Sequence, residues 1–317
     1  MSMKQCENPR CYAPEVECDE GLPIEQCEYF KVDPQVFASG NPNTQMSLFS
    51  WTGMALGMDD VAKFATRSRV STVALVGASN AGKTSFLATL YLLLLSGKTI
   101  EGYKFAGSLT LGGWEILANK MRWLGQEPPN FPDHTPRTMS RQPGLLHLAL
   151  RNKHDRLCDV VFADAPGEWF ERWANNQADP QAEGARWLEY HAGAVLIFLD
   201  SEKLSSTEHR GNARSQSIQL LSRSCDAYSD RAIGIVWAKY DTFKQNLAID
   251  AVKKYIDSRN IKQSFNVTSA NINPEFKSVI ETATWSIQQA LEGRKMGEID
   301  VPIDGENPFL SFRGRSV

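Results

Sequence analysis

From Val70 onward the chain alternates short apolar runs with stretches whose apolar residues recur every three or four positions. The runs Val73–Val76, Leu145–Leu150, Asp159–Ala163, Ala194–Leu199, Ile233–Ala238 and Phe265–Thr268 have the length and apolar density of buried strands. Between them, Ser85 to Ser96, Ala213 to Tyr228 and Ala248 to Asp257 read as helices. Ile218, Leu221, Cys225 and Tyr228 share one face of the second, and Ile249, Val252 and Ile256 one face of the third. A last helix opens at Asn273-Pro274, a cap followed by proline at the first helical position, and turns Phe276, Val279, Ile280, Ala283, Ile287 and Leu291 inward. Strands alternating with helices predict an α/β fold, a mostly parallel sheet with helices on both faces. Such sheets bind ligands beyond the carboxyl ends of their strands.

Residues 97–143 exceed what this alternation needs. Tyr103 to Leu111 reads as a strand and Trp114 to Leu124 as a helix, but Glu127 to Arg137 holds too many prolines for either. The segment is read as an insertion, a candidate partner-reading region. The pattern thus divides the chain into a cysteine-rich arm (1–30), an adaptor (31–69), a main domain (70–293) and a tail (294–317). Within the adaptor, Asp59-Asp60 opens a segment with Val61, Phe64 and Ala65 at helical spacing.

The formal net charge of −3 and the lack of a Lys/Arg stripe argue against nucleic acid as a partner. The first residues lack an apolar core, so no export signal is expected. The longest apolar run, Phe86 to Leu95, is too short to span a bilayer and reads as a helix buried on nearly all sides. The expected location is cytoplasmic, with no membrane segment. Cys6, Cys11, Cys18 and Cys27 follow a C-x4-C-x6-C-x8-C spacing. They suit a tetrahedral thiolate Zn²⁺ site that would stabilise an arm poor in apolar residues, or else are free thiols. Cys158 and Cys225 are expected in the core. The histidines show no metal-ligand pairing, and His147 reads as a strand-face residue.

The densest chemical signal is Gly77-Ala78-Ser79-Asn80-Ala81-Gly82-Lys83-Thr84, a G-x-x-x-x-G-K-[ST] phosphate loop between a strand and a helix. Backbone N–H groups and the positive end of a helix converge there on one anion. The expected nucleotide contacts are Gly77, Asn80, Ala81, Gly82, Lys83, Thr84 and Ser85. Lys83 reaches the terminal phosphates, and the Thr84 hydroxyl binds Mg²⁺.

Asp164-Ala165-Pro166-Gly167-Glu168 ends a buried strand. Asp164 is expected to hold Mg²⁺, and the Gly167 N–H to bond a γ-phosphate. Ala238-Lys239-Tyr240-Asp241 matches Asn-Lys-x-Asp except at its first position. Asp241 would accept from guanine N1–H and N2–H, a pair adenine does not offer, and the Lys239 stem would lie along the base. Ser269 and Ala270, after the strand at Phe265, are placed for guanine O6.

The order of these motifs resembles the Ras-like P-loop GTPases of the translation-factor-related (TRAFAC) class over Val70 to Gly293. Tyr103 to Leu111, Thr135 to Thr138 and Leu146-His147-Leu148 are similar to the bacterial double-GTPase domain family. The resemblance implies a P-loop NTPase fold, GTP and GDP as ligands, Mg²⁺, and work with partner proteins in conflict or antiviral defence. The threonine closing over Mg²⁺ is expected before the strand at Leu145, at Thr138 first and Thr135 second, and Arg137 is a candidate arginine finger. Ala238 lacks the usual amide, which would weaken guanine preference. Glu168 stands where many such enzymes carry glutamine. Slow hydrolysis follows, because its charge repels the γ-phosphate. Two other readings remain: a nucleotide-binding interaction module without significant hydrolysis, and an ATPase with the same phosphate machinery.

Overall fold

Val70–Gly77 forms β1, buried from Ser71 to Gly77 because strands flank it on both sides and helices cover both of its faces. It lies near the middle of a sheet that, among the residues described, runs β2-β3-β4-β1-β5-β6-β7. The computed structural model describes residues 53–57, 60–61, 70–122, 130, 144–268 and 276–292. The chain divides into two compact units, Met1–Gly53 and Met54–Val317, and the architecture below is that of the second. The other strands are β2 (Tyr103–Gly107), β3 (Gly144–Asn152), β4 (Leu157–Asp164), β5 (Ala192–Asp200), β6 (Ala232–Ala238) and β7 (Gln263–Val267). The block β4-β1-β5-β6-β7 is parallel, whereas β3 runs antiparallel to both β4 and β2. The α/β fold with a mostly parallel sheet holds.

The helices are α1 (Lys83–Leu95), α2 (Leu111–Asn119), α3 (Gly167–Asn175), α4 (Glu183–His191), α5 (Ser201–Ser205), α6 (Arg210–Ala227), α7 (Leu247–Ser258) and α8 (Lys277–Glu292). α1, α2 and α8 cover one face, where Phe86, Leu90, Trp114 and Ile287 pack with Val73, Leu75, Phe162 and Leu196. α3, α4, α6 and α7 pack together on the other. α1 is buried on most sides, as its apolar run predicts. Trp114, fully buried, stacks on Tyr91 and meets Phe162 edge-on. Burying one such side chain contributes roughly 2 to 3 kcal/mol.

Three helices fall outside the sequence expectation: α3, α4 and the short α5. α3 and α4 bury only short stripes, Phe170, Trp173 and Ala174 in one, Ala185 and Leu188 in the other, amid many charges. α2 starts earlier than the expected Trp114, with Gly112-Gly113 in its first turn, and ends earlier, at Asn119. A Cβ at Gly113 would sit 2.9 Å from the Ala55 nitrogen, so the glycine admits a crossing backbone. That crossing segment pairs Leu56 with Leu145 and covers the part of the β3 edge that β2 leaves open. Cys158, near the start of β4, and Cys225, on the flank of α6 beside the buried Ser224 and Tyr228, are half-buried, not core. Of the adaptor helix, residues 60–61 are helical and the rest lies outside the described residues. His147 is fully buried in β3; its Nε2 and Asp159 Oδ1 are 2.8 Å apart, and its Nδ1 accepts from the Leu109 N–H.

Candidate functional site

Four loops, after β1, β4, β5 and β6, leave the sheet at one carboxyl edge. The register places Gly77 beside Phe198 and Asp200 beside Ala238. Residues 78–82 after β1 wrap into the N-terminus of α1, with Asn80 at φ 65 and Gly82 at φ 89. A Cβ on Gly77 would meet Phe198 at 3.0 Å, so only glycine lets β1 turn this close to β5. Lys83 Nζ donates to the Gly77 and Ala78 carbonyls at 2.8 and 3.0 Å and lies 5.8 Å above the Phe170 ring. Burial pushes this ammonium down to about 8, against the pull of Asp164, Glu168 and Glu171, which favour its charge.

At the tip of β4, the Asp164 carboxylate accepts from Thr84 Oγ1 at 3.1 and 3.3 Å. Two oxygens bound side by side to Mg²⁺ at about 2.1 Å stand about 3 Å apart. The Thr84 and Asp164 oxygens therefore suit that ion. No group of three or more His, Cys, Asp or Glu able to hold a metal occurs among the described residues. Cys6, Cys11, Cys18 and Cys27, the expected Zn²⁺ ligands, lie outside them.

Pro166 caps α3, whose first residues are Gly167 and Glu168. A Cβ on Gly167 would begin 2.1 Å from the Ser79 nitrogen, so the helix start is pressed directly onto the phosphate loop. One turn later, Glu171 Oε1 accepts from the Ser79 N–H at 3.0 Å.

On the base side, β6 ends at Ala238, which is buried. A Cβ on Gly82 would approach the Ala238 Cβ to 3.3 Å. Lys239 follows in the left-handed region, at φ 54. Its Nζ bridges Asp200 Oδ2 at 2.9 Å and Glu202 Oε2 at 2.8 Å. Burial works against its charge, but the two carboxylates outweigh burial and hold its pKa above the ordinary lysine value. Asp200 also caps α5 by accepting from the Lys203 N–H, and Lys203 Nζ donates to the Ser79 carbonyl at 3.3 Å. The base loop is thus tied to the phosphate loop without the amide that Ala238 lacks. Asp241 lies exposed in the turn Tyr240–Thr242, with no polar partner among the described residues.

The structure therefore brings Gly77, Asn80, Ala81, Gly82, Lys83, Thr84, Ser85, Asp164, Gly167 and Glu168 to one end of the sheet, with Lys239 and Asp241 on the neighbouring loop. Thr138, Thr135, Arg137, Ser269 and Ala270 lie outside the described residues. Val267 pairs with Ala238, so the chain leaves β7 beside the base loop. Sequence reasoning passed over Glu171, Asp200 and Lys203. Asp200 carried a local signal, an acidic cap between a strand and a short helix. Glu171 could be found only by recognising α3.

The Double-GTPase 2 family model matches residues 71–287. No curated protein matches the chain. Among solved structures, the chain resembles a Plasmodium falciparum protein assigned as nucleolar GTP-binding protein 1. The two share 15% identity over 70% of this chain and 88% of that one, with a TM-score of 0.39. No helix among the described residues is long and apolar enough to cross a membrane.

Proposed function

This chain belongs to the Double-GTPase 2 family of P-loop GTPases, and we propose that it is a GTP-binding switch that hydrolyses its nucleotide slowly with Mg²⁺. The observation that carries this reading is the convergence of Thr84 and Asp164 at the mouth of a phosphate loop whose lysine is buried. Thr84 and Asp164 would hold Mg²⁺, which when bound offsets charge on the phosphates. The Gly82 to Ser85 amides and Lys83 bind and orient the phosphates. Water attacks the γ-phosphorus, the bond to the β–γ bridging oxygen breaks, and GDP and phosphate leave. Asp241 accepts from the guanine edge, a role supported by its exposure in the turn after β6. Thr138 and the Gly167 turn respond to the γ-phosphate, and Ser269 and Ala270 complete the base site. Partner proteins reading these loops and the insertion, in bacterial conflict, defence or signalling, come with the family resemblance. A Zn²⁺ site in the cysteine arm is part of the same proposal, read by elemental analysis.

The test is nucleotide content and base preference of the purified chain. GTP is expected to bind at least about a hundredfold more tightly than ATP, and Asp241→Asn to erase that preference. Equal affinities in the wild type would favour the ATPase reading. The binding-only module is favoured by Glu168 and Glu171, two carboxylates whose charge is felt at Lys83. A single-turnover burst of phosphate release would exclude it.

A further inference from the structure

The Ser79 N–H belongs to a loop built to hand its amides to phosphate oxygens, yet it donates to a side-chain carboxylate, Glu171 Oε1, at 3.0 Å. The contact is not incidental to a loose helix. α3 is seated so closely that a Cβ on Gly167 would begin 2.1 Å from Ser79 N and 2.3 Å from the Ala78 carbonyl carbon. Ser79 lies on the side of the loop that faces the Asp164–Gly167 turn. A terminal phosphate must lie on that side if Gly167 is to reach it. Carboxylate and phosphate are both oxyanions, and one N–H serves either. They do not share it, since two anions at hydrogen-bonding distance from the same donor repel.

Resting on the guanine-nucleotide reading above, we propose that Glu171 is a specificity-determining residue that takes the place of a terminal phosphate on the phosphate loop. A nucleoside diphosphate binds with α3 seated. A triphosphate binds only as Glu171 leaves Ser79 and α3 moves off the loop. Free energy spent on that displacement is charged to the triphosphate alone, so Glu171 biases the protein toward the diphosphate. The movement has a path outward. On its far side α3 holds Trp173 Nε1 against Glu189 of α4, packs the Trp173 ring on Tyr228, and joins Asn175 to Gln219 of α6. Displacing α3 therefore disturbs contacts to two further helices, and the distinction between di- and triphosphate is read on that face.

The experiment compares full-length wild type with Glu171→Gln, titrated with GDP and with a non-hydrolysable GTP analogue in Mg²⁺. Glutamine keeps the length and the acceptor and removes the charge. The ratio of triphosphate to diphosphate affinity is expected to rise about tenfold in the variant, with GDP affinity changing less than about threefold. Hydrogen exchange supplies the second readout. In the wild type, the peptide covering Gly167–Asn175 should exchange faster with the triphosphate analogue than with GDP. An unchanged affinity ratio, or equal protection of α3 in both complexes, overturns the proposal. If the wild type fails to distinguish guanine from adenine, the guanine reading falls, but the same ratio measured with ADP and an ATP analogue still decides the role of Glu171. Binding of no nucleotide by either protein overturns both.

Discussion

Ala238 and Gly82 bring the base loop and the phosphate loop into direct contact: a Cβ on Gly82 would stand 3.3 Å from the Ala238 methyl, at a backbone φ of 89. Both the conformation and the space at residue 82 therefore call for glycine. Gly82→Ala is expected to lower stability by about 1 to 2 kcal/mol from the left-handed backbone alone and to weaken nucleotide binding more than stability. Denaturant unfolding beside GDP titration separates the two effects. An alanine variant that unfolds and binds like wild type would show that the loops are not in contact.

Asp200 is the hub that compensates for the alanine. It is nearly buried, anchors Lys239 at 2.9 Å and starts α5, from which Lys203 reaches the Ser79 carbonyl. Asp200→Asn keeps the shape and a cap acceptor but removes the charge that Lys239 is paired with. Hydrogen bonds to charged groups contribute about 1.5 to 3 kcal/mol, and Glu202 remains to share Lys239. The expected result is a loss of about tenfold in guanine-nucleotide affinity with a smaller effect on pyrophosphate binding. Competition assays with GDP and pyrophosphate check it. An equal loss for both ligands would place Asp200 in service of the phosphate loop alone.

Lys83 makes nucleotide binding depend on pH in a fixed direction. Its ammonium titrates near 8, against 10.5 for an ordinary lysine. Between those values the unfolded chain holds a proton the folded chain has released, so this group's contribution to stability improves as pH rises. Binding runs the other way. Phosphates favour the charged form, so above pH 8 each binding event takes up a proton, and affinity falls toward about tenfold per pH unit. Calorimetry of GDP binding in buffers of different ionisation enthalpy, at pH 7 and pH 9, should show proton uptake that grows with pH. Uptake that does not change would mean that Lys83 stays fully charged in the free protein.

The parts of this site that sequence made legible are those coded locally. The phosphate loop, the carboxylate at the tip of β4 and the Lys239–Asp241 turn each depend on a few adjacent residues following an apolar strand. The parts it hid depend on which strands are neighbours or on helices with weak stripes. Asp200 becomes a partner of Lys239 only because β5 lies beside β6. Glu171 sits on a helix whose buried face is only Gly167, Phe170, Trp173 and Ala174. The early start of α2 was masked by Gly112-Gly113, whose missing side chain is explained at residue 113 by the backbone of Ala55 crossing it. Glycine there reads as a helix breaker in sequence and as a packing requirement in space.

Glu168 gives the last prediction. It lies in the first turn of α3, beside the Gly167 that touches the phosphate loop, and its charge is felt at Lys83. A carboxylate in that place can orient water, but it also opposes the charge that gathers on the γ-phosphoryl oxygens as the bond breaks. The repulsion is expected to dominate, because the site already holds the Asp164 carboxylate near the same ammonium. Wild-type turnover should therefore stay below about one per second with Mg²⁺ and no partner, and Glu168→Gln should speed single-turnover hydrolysis by about tenfold. Rapid-quench measurement of phosphate release from prebound GTP checks both. A slower Glu168→Gln variant would assign the carboxylate to activating the attacking water.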